Sequence, residues 1–184
     1  IMHELNHGGY RPDPVRSFDI EKADGSRRNI TWYSVRDRVV QRACLLAVQK
    51  TGERLFLPCS YGFRPGLTVD MACARVREYV RQGFGWLVDA DIVKCFDNIP
   101  RASALRLLHA ITGDTPFVDL VARWLPADVP DVRGLPQGMV LSPFLCNLYL
   151  HGFDLAMRGA NVPGPMKSRQ VSRPPVVPRL MAKL

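Results

Sequence analysis

Residues 86–99 read WLVDADIVKCFDNI, an apolar run that ends among three carboxylates. The run predicts a buried β-strand from Gly85 to Asp91, in which Asp89 and Asp91 lie on one face because side chains alternate along a strand. A carboxylate at the end of a buried strand needs a cation, a helix cap or a metal ion as its partner. A salt bridge or loop hydrogen bond would satisfy Asp89, and a cap position would satisfy Asp97. Asp91, followed by further apolar residues, is the candidate metal ligand.

Outside this strand the sequence predicts mainly helices. Alternating apolar residues around Asp24-Gly25 predict a hairpin over 15–33, and apolar residues at helical spacing predict the helices. The predicted helices cover 34–50, 68–82, 99–111, 142–157 and a segment that begins at 115. Few strands among many helices indicate an α+β or α/β fold. One central strand and a hairpin make a smaller sheet than most open sheets.

Two of these helices carry a single apolar stripe that is expected to face the core. The stripe of the helix over 34–50 consists of Val35, Val39, Ala43, Leu46 and Ala47. The stripe of the helix over 68–82 consists of Val69, Ala72, Val76 and either Tyr79 or Val80. Both helices are therefore predicted to pack through these faces.

The charge balance favours a polyanionic partner. The net charge is +8 and the sequence pI is about 9.6, which suits nucleic acid or an anionic membrane surface, although a basic protein without such a partner has the same balance. Five scattered cysteines without a Cys-x-x-Cys pair favour reduced thiols in the cytosol over a zinc site. No apolar run reaches the ~18 residues of a membrane span, and no signal peptide is visible. We expect a cytoplasmic protein with no membrane partner.

The sequence changes character after Met157. Residues 158–184 contain six Lys or Arg, five prolines, no Asp or Glu, and no apolar periodicity. Such a composition buries too little apolar surface to offset the entropy of ordering, so it predicts a disordered basic tail.

A glycine-rich segment, RGLPQGMVLSP over 133–143, precedes the last predicted helix. Gly134 and Gly138 would let the backbone approach a ligand closely. The Gln137 amide offers donors and an acceptor, as a base edge or a template backbone requires. Taken alone, the segment is better explained as a turn before a helix.

Taken together and in order, several motifs resemble the reverse transcriptase domain of group II intron-type enzymes and their bacterial relatives. They are Gly9-Tyr10-Arg11-Pro12, Lys22-Ala23-Asp24-Gly25-Ser26-Arg27-Arg28, Asp37-Arg38-Val39-Val40-Gln41, Ser60-Tyr61-Gly62-Phe63-Arg64-Pro65-Gly66, the run from Asp89 to Ile99, Gly134-Leu135-Pro136-Gln137-Gly138, Ser142-Pro143, Asn147-Leu148-Tyr149-Leu150 and Asp154. No single motif is specific, whereas the ordered set, which spans residues 9–157, is highly specific.

The resemblance implies an α+β fold, an incomplete right-hand polymerase with fingers and the N-terminal part of a palm. Residues 1–85 would form the fingers region, 86–157 the partial palm, and 158–184 the disordered tail, which does not resemble the family. The implied setting is the cytoplasm of a bacterium.

The resemblance also implies roles for individual residues. Lys22 and Arg28 on the hairpin would contact the phosphates of the incoming nucleotide, for which a lysine point charge or an arginine fork is well suited. Arg64 would touch the template backbone. Gln137 and Gly138 would line the template near the nascent base pair, where Gln137 also faces the nucleotide.

Three residues of the opening stretch gain roles in the same way. Asp91 matches the first metal-binding aspartate of the palm, and Ile92 would lend its backbone carbonyl to one Mg²⁺. Phe96 matches the aromatic residue that stacks under the sugar and rejects a ribose 2′-OH. The implied reaction is attack of a primer 3′-OH on the α-phosphate of a deoxynucleoside triphosphate, with two Mg²⁺ ions ~3.5–4 Å apart. The implied partners are an RNA template, a DNA primer and an intron or other structured RNA.

The sequence departs from the family at the second carboxylate pair, which relatives carry in a Tyr-x-Asp-Asp hairpin. No Asp or Glu follows Asp154, and one aspartate cannot hold two divalent ions against a tetra-anionic substrate. We therefore expect a truncated or frame-shifted reverse transcriptase that is inactive as it stands. A non-catalytic RNA-binding module and a degenerate gene product remain open alternatives. The motifs do not distinguish a group II intron, a retron, a CRISPR system or another bacterial element as the parent.

Overall fold

The structure is a computed structural model that describes residues 1–21, 23, 25–125 and 133–159. These residues form seven helices and a two-stranded sheet. The elements are α1 (Met2–Asn6), β1 (Arg16–Glu21), β2 (Arg27–Trp32), α2 (Val35–Leu55), α3 (Val69–Arg81), α4 (Cys95–Asn98), α5 (Arg101–Thr112), α6 (Thr115–Ala122) and α7 (Ser142–Gly159). The predicted tail over 158–184 lies outside the described residues except for its first two, which end α7.

The predicted hairpin is confirmed by β1 and β2. The strands are antiparallel, with a register that runs from Arg16 opposite Trp32 to Glu21 opposite Arg27. Gly25 in the connecting turn has a φ of +77°, which glycine adopts without steric cost. The side chains of β1 are exposed on both faces, so main-chain pairing contributes more to this element than burial does.

α2 begins where the sequence predicts it and runs five residues past the predicted end. Its first turn is capped by Ser34, whose hydroxyl accepts a hydrogen bond from the Asp37 amide. The predicted inward stripe is wrong, since Val35, Val39 and Leu46 are all more than half exposed. The buried face instead consists of Asp37, Val40, Gln41, Cys44, Leu45, Val48 and Gly52.

Two polar residues on this face explain its orientation. The Asp37 carboxylate accepts hydrogen bonds from the Tyr10 hydroxyl and from the Asp13 amide, the latter at 3.0 Å. Gln41 Oε1 accepts a hydrogen bond from the Val140 amide at 2.9 Å. Buried polar groups with partners are tolerated in a core, so these bonds favour burial of this side of α2, although Gln41 Nε2 is buried without a partner among the described residues. A prediction of the inward face from apolar residues alone does not take these two polar residues into account.

α5, α6 and α7 confirm the predicted helices in the second half of the chain. α6 begins at Asp114, whose carboxylate accepts the Phe117 amide at 2.9 Å, with proline in the first turn as expected. These three helices and α2 bury one apolar cluster, which is centred on residues with no exposed surface: Ala104, Leu108, Val121, Leu141 and Leu145. We call α2, α5, α6, α7 and residues 133–141 the packed region.

The packed region draws on both halves of the chain. Val40 and Val48 of α2 belong to the same buried cluster as Leu108 of α5 and Leu145 of α7. The proposed fingers and partial palm therefore share a core in this structure. The boundary between residues 85 and 86 stays a prediction.

The strand predicted over 85–91 does not form. Residues 84–92 have no regular secondary structure, and the side chains of Trp86 and Val88 are 83% and 89% exposed. A strand needs a neighbour that pairs with its N–H and C=O groups, and no described residue pairs with this segment. The strand prediction is wrong for this structure. The prediction that Asp89 and Asp91 lie on one face of that strand is therefore wrong as well.

α3 confirms the predicted helix but not its inward face. Thr68 caps the helix by accepting a hydrogen bond from the Met71 amide. No residue of α3 is buried, and Val69, Val76 and Tyr79 are each at least 40% exposed. The predicted inward stripe of this helix is therefore wrong. We call α3 and residues 84–94 the open region.

None of the helices that the structure describes is both long enough and apolar enough to cross a lipid bilayer.

Candidate functional site

Three segments that are distant in sequence meet at one place. The Thr31 amide of β2 donates to the Gln137 carbonyl at 2.7 Å, the Leu135 amide donates to the Phe96 carbonyl at 2.8 Å, and the Gly134 amide donates to the Ile99 carbonyl at 2.9 Å. We call this place the junction; it comprises Thr31, residues 96–99 and residues 134–138. It unites the end of the basic hairpin, the second half of the opening stretch and the glycine-rich segment.

Gly138 determines how closely the hairpin approaches the glycine-rich segment. Its φ is +125°, and a Cβ atom added there would lie 2.0 Å from the Thr31 carbonyl oxygen. Real Cβ atoms do not come that close to backbone, so any other residue would displace β2. The sequence predicts a close approach of backbone to a ligand at Gly138, and in the structure the main chain that approaches is that of the hairpin.

Gln137 and Asp97 face each other across the junction. Gln137 Nε2 donates to Asp97 Oδ1 at 3.4 Å, and both side chains lie toward solvent. Asp97 therefore serves as a partner of the glycine-rich segment, while α5 begins after Pro100 without a side-chain cap. The role of Gln137 toward a template or nucleotide stays a prediction.

Phe96 lies half-buried at the edge of the core. Its ring meets the ring of Phe63 edge-to-face, with centroids 6.0 Å apart and planes at 89°. Its carbonyl is fixed by the Leu135 amide. A ring that is buried on one side and open on the other can stack against a planar or sugar group.

Asp91 and Ile92 lie in the open region. Both residues are exposed, and Asp91 forms no hydrogen bond or ion pair with another described residue. In the ranges that the structure describes, no group of three or more His, Cys, Asp or Glu could hold a metal ion. Mg²⁺ is usually bound through one or two carboxylates, with waters and substrate phosphates completing its octahedral shell, so Asp91 and the Ile92 carbonyl could contact one ion, whereas a two-ion site needs further carboxylates.

The hairpin presents accessible positive charge beside the junction. Arg28 lies opposite Ile20 in the ladder, is exposed, and forms no ion pair with a described residue. Lys22, the other predicted phosphate contact, lies outside the described residues. An unpaired guanidinium on an exposed strand can bind a phosphate.

Arg64 is occupied by contacts within the chain. Its side chain is 9% exposed; Nε and Nη2 donate to Glu53 Oε2 at 3.0 and 2.9 Å, and Nη1 donates to the carbonyls of Leu57 and Ser60 at 2.8 and 2.6 Å. The structure therefore gives Arg64 a role in holding the loop between α2 and α3. A template contact by this residue stays a prediction.

The sequence analysis assigns no role to a buried polar network around Tyr10 and Asp37. Burial, helped by the hydrogen bond to Asp37, raises the pKa of Tyr10 well above its usual range, so the hydroxyl stays a donor. The Arg36 guanidinium lies 4.8 Å from the centre of the Tyr10 ring and pairs with Glu4 at 2.6 Å. Tyr10, Asp37 and Gln41 all occur in the motifs that carry the resemblance, and that was the available signal for their importance.

The junction thus combines a half-buried aromatic ring, an amide and a carboxylate, with the cationic side chain of Arg28 on the adjoining hairpin. Such a surface can stack on a sugar or base, hydrogen-bond to a base edge and hold phosphates.

The comparisons with known proteins agree with this description. A family model described as "Reverse transcriptase (RNA-dependent DNA polymerase)" matches residues 20–171. The chain is 31% identical over 194 residues to the "Uncharacterized 91 kDa protein in cob intron" of Schizosaccharomyces pombe, with 100% of this chain and 24% of that protein covered. It is 31% identical over 165 residues to the "Group II intron-encoded protein LtrA" of Lactococcus lactis subsp. cremoris, with 84% and 27% covered.

A bacterial relative and a solved structure extend this set. Protein YkfC of Escherichia coli strain K12 is 33% identical over 165 residues, covering 84% of this chain and 43% of YkfC. The solved "Partial Cas6-RT-Cas1--Cas2 complex" aligns with 85% of this chain and 28% of that chain, with 26% identity and a TM-score of 0.53. The chain therefore spans less than half the length of the curated relatives that it matches here.

Proposed function

The chain belongs to the reverse transcriptase family, with group II intron-encoded proteins among its relatives, and from this membership we propose that it supplies the template- and nucleotide-facing part of an RNA-directed DNA polymerase. The observation that carries the proposal is the junction. Three main-chain hydrogen bonds hold the basic hairpin, Phe96 and Gln137 together, and these are the groups that such a site would use for phosphate, sugar and base.

The proposed roles divide the substrate among these groups. Lys22 and Arg28 bind the triphosphate of the incoming deoxynucleotide, and Phe96 stacks under its sugar and excludes a 2′-OH. Gln137 and Gly138 lie along the template strand beside the nascent base pair. This arrangement would orient a primer 3′-OH toward the α-phosphate by positioning alone.

The proposed ligands of one Mg²⁺ are the Asp91 carboxylate and the Ile92 carbonyl. The family relies in general on Mg²⁺, which would stabilise the attacking and leaving oxygens of the transferred phosphate. Waters and substrate phosphates would complete the shell of one ion, and a second ion would require further carboxylates. The proposed setting is a bacterial cytoplasm, which the matches to Escherichia coli and Lactococcus lactis proteins support.

We expect the 184-residue chain to bind primed RNA without extending it. No Tyr-x-Asp-Asp sequence is present, and one aspartate cannot hold the two divalent ions that would neutralise an incoming triphosphate beside a primer end. The measurement is extension of a labelled DNA primer on an RNA template in Mg²⁺. Mg²⁺-dependent products from the purified chain would contradict the expected inactivity.

A second candidate function is a non-catalytic RNA-binding module. It is favoured by the net charge of +8 and by Arg28 on the hairpin, which is exposed and forms no ion pair with a described residue. In this case the chain binds RNA with or without a primer, and deoxynucleotide does not strengthen the complex. Nucleotide-strengthened binding to primed template supports the polymerase proposal instead.

RNA binding by the hairpin is tested with a matched pair of variants. Arg28→Gln should weaken binding to primed RNA and reduce the salt slope by about 0.7 to 0.9, because one phosphate contact is lost. Arg54→Gln removes the same charge from the far end of α2, roughly 30 Å along the helix from the hairpin, and should leave both quantities unchanged. Fluorescence anisotropy at several salt concentrations provides the measurement. Equal effects of the two variants would contradict a hairpin contact.

A further inference from the structure

The loop between α2 and α3 is anchored on both sides of Phe63. The Gly62 carbonyl accepts a hydrogen bond from Asn147 Nδ2 at 2.7 Å, which ties the preceding residue to α7. The following residue, Arg64, is bound to Glu53 of α2 by two hydrogen bonds to one carboxylate oxygen. These contacts restrict the backbone of Phe63 from both directions.

Between these two anchored residues, Phe63 has an unfavourable backbone conformation and an exposed apolar ring. Its φ is +57°, in the left-handed region that residues with a Cβ atom rarely adopt, and its ring is 70% exposed. Glycine would avoid both the strained backbone and the exposed apolar ring. The presence of an aromatic residue at this position therefore indicates that its ring makes a contact that glycine could not make.

That contact is with Phe96. The two rings meet edge-to-face at 6.0 Å, the arrangement that the quadrupoles of aromatic rings favour. The backbone of Phe96 is already fixed by the Leu135 amide. The remaining freedom of Phe96 is the rotation of its side chain, and the edge contact with Phe63 restricts that rotation.

We infer that Phe63 is a positioning residue that holds the Phe96 ring in the orientation required for sugar selection. The inference rests on the proposed function, in which Phe96 stacks under the sugar of the incoming nucleotide. Phe63 does not touch the substrate in this scheme. It acts through Phe96, because a ring free to rotate would leave space for a ribose 2′-OH.

The position of the Phe96 ring is tested first, on the 184-residue chain. Phenylalanines are replaced by 4-fluorophenylalanine, and the ¹⁹F resonance of Phe96 is identified by its loss in Phe96→Leu. Phe63→Leu should shift or broaden this resonance, because the ring contact is lost while apolar volume is kept. Phe63→Tyr keeps the ring and should leave the Phe96 resonance in place.

The matched control is Phe153→Leu. Phe153 is 60% exposed on α7, comparable to Phe63, and its ring contacts no other aromatic ring among the described residues. Its substitution should not move the Phe96 resonance. An unchanged Phe96 resonance in Phe63→Leu would overturn the inference.

Sugar selection is tested second, by competition between dCTP and CTP for the chain bound to an RNA template and a DNA primer with a dideoxy end. Phe63→Leu should lower the preference for dCTP by roughly 2- to 10-fold, the range expected from loss of one edge-to-face pair. Phe63→Tyr should restore the preference. In the Phe96→Ala background, Phe63→Leu should have no further effect. If the role of Phe63 were purely structural, Phe63→Leu would weaken the binding of dCTP and CTP equally and leave the ratio of their affinities unchanged.

The outcomes separate the inference from the function on which it rests. A preference lowered by Phe96→Ala but not by Phe63→Leu overturns the inference and keeps the sugar gate. A wild-type chain without any preference contradicts the gate and the proposed function. The ¹⁹F result then still decides whether Phe63 holds the Phe96 ring.

Discussion

The packed region and the open region are both rich in apolar residues but bury them very differently. Leu145 and Val121 in the packed region have no exposed surface, whereas Leu87 and Val88 in the open region are 59% and 89% exposed. In the packed region four helices cover one another, while no described strand pairs with residues 84–92 and no residue of α3 is buried. An apolar sequence therefore determines which segments can be buried. Whether such a segment is buried depends on the segments that pack against it.

The largest expected effect is a difference in stability between two glycine-to-alanine variants, one at the junction within the packed region and one in the open region. Gly138→Ala should destabilise the fold by about 2–6 kcal/mol, the sum of backbone strain and overpacking against Thr31. Gly85→Ala in the open region meets nothing within 4 Å and should change stability by less than about 0.5 kcal/mol. Urea unfolding followed by circular dichroism measures both. Similar values for the two variants would contradict the close approach of β2 to Gly138.

Two leucine-to-alanine variants compare the stability contributed by a buried leucine in the packed region with that of an exposed leucine in the open region. Leu145→Ala should cost about 2–5 kcal/mol, since it removes a fully buried side chain and leaves a cavity. Leu87→Ala makes the same chemical change on an exposed side chain and should cost less than about 0.5 kcal/mol. The same unfolding measurement applies. A cost above 2 kcal/mol for Leu87→Ala would show that 84–94 is covered by other residues in solution.

A smaller effect tests the attachment of the hairpin to the packed region. The Tyr33 hydroxyl, just after β2, donates to the Trp124 carbonyl at 2.9 Å. Tyr33→Phe should cost about 1–2 kcal/mol at pH 7, because a hydrogen bond is lost and the carbonyl is left without this donor. The free energy of unfolding in urea measures this cost.

The same variant has a defined pH dependence. Burial raises the pKa of Tyr33 to about 12, so its contribution is complete below the unfolded pKa of about 10 and is lost between pH 10 and 12. The difference between wild type and Tyr33→Phe should therefore shrink by about 1.4 kcal/mol at pH 11. Other titrating groups affect both proteins equally and cancel. A constant difference from pH 7 to 11 would contradict the burial of the Tyr33 hydroxyl.

Local signals account for the elements that the sequence predicted well. The hairpin is specified by alternation around Asp24-Gly25, α2 begins at the Ser34 cap, and α6 begins at Asp114 followed by an early proline. These are short-range effects of hydrogen bonding and backbone geometry, and they operate without knowledge of the rest of the chain. The ordered motifs likewise carried the family assignment.

The errors in the predicted fold concern partners rather than elements. The apolar stripe predicts the wrong inward face for α2, because Asp37 and Gln41 are buried through hydrogen bonds to Tyr10 and Val140, which lie far away in sequence. The strand over 85–91 was predicted from an apolar run, but its hydrogen-bonding groups find no partner among the described residues.

The sequence by itself determined the family, the local elements and the candidate residues Asp91, Phe96 and Gln137. The tertiary structure alone decided that Phe96 and Gln137 meet at the junction, that Gly138 admits the hairpin, and that Phe63 contacts Phe96. The physical reason is range: caps, turns and helical periodicity act over a few residues. Which distant segments come within hydrogen-bonding or ring contact depends on how the whole chain packs.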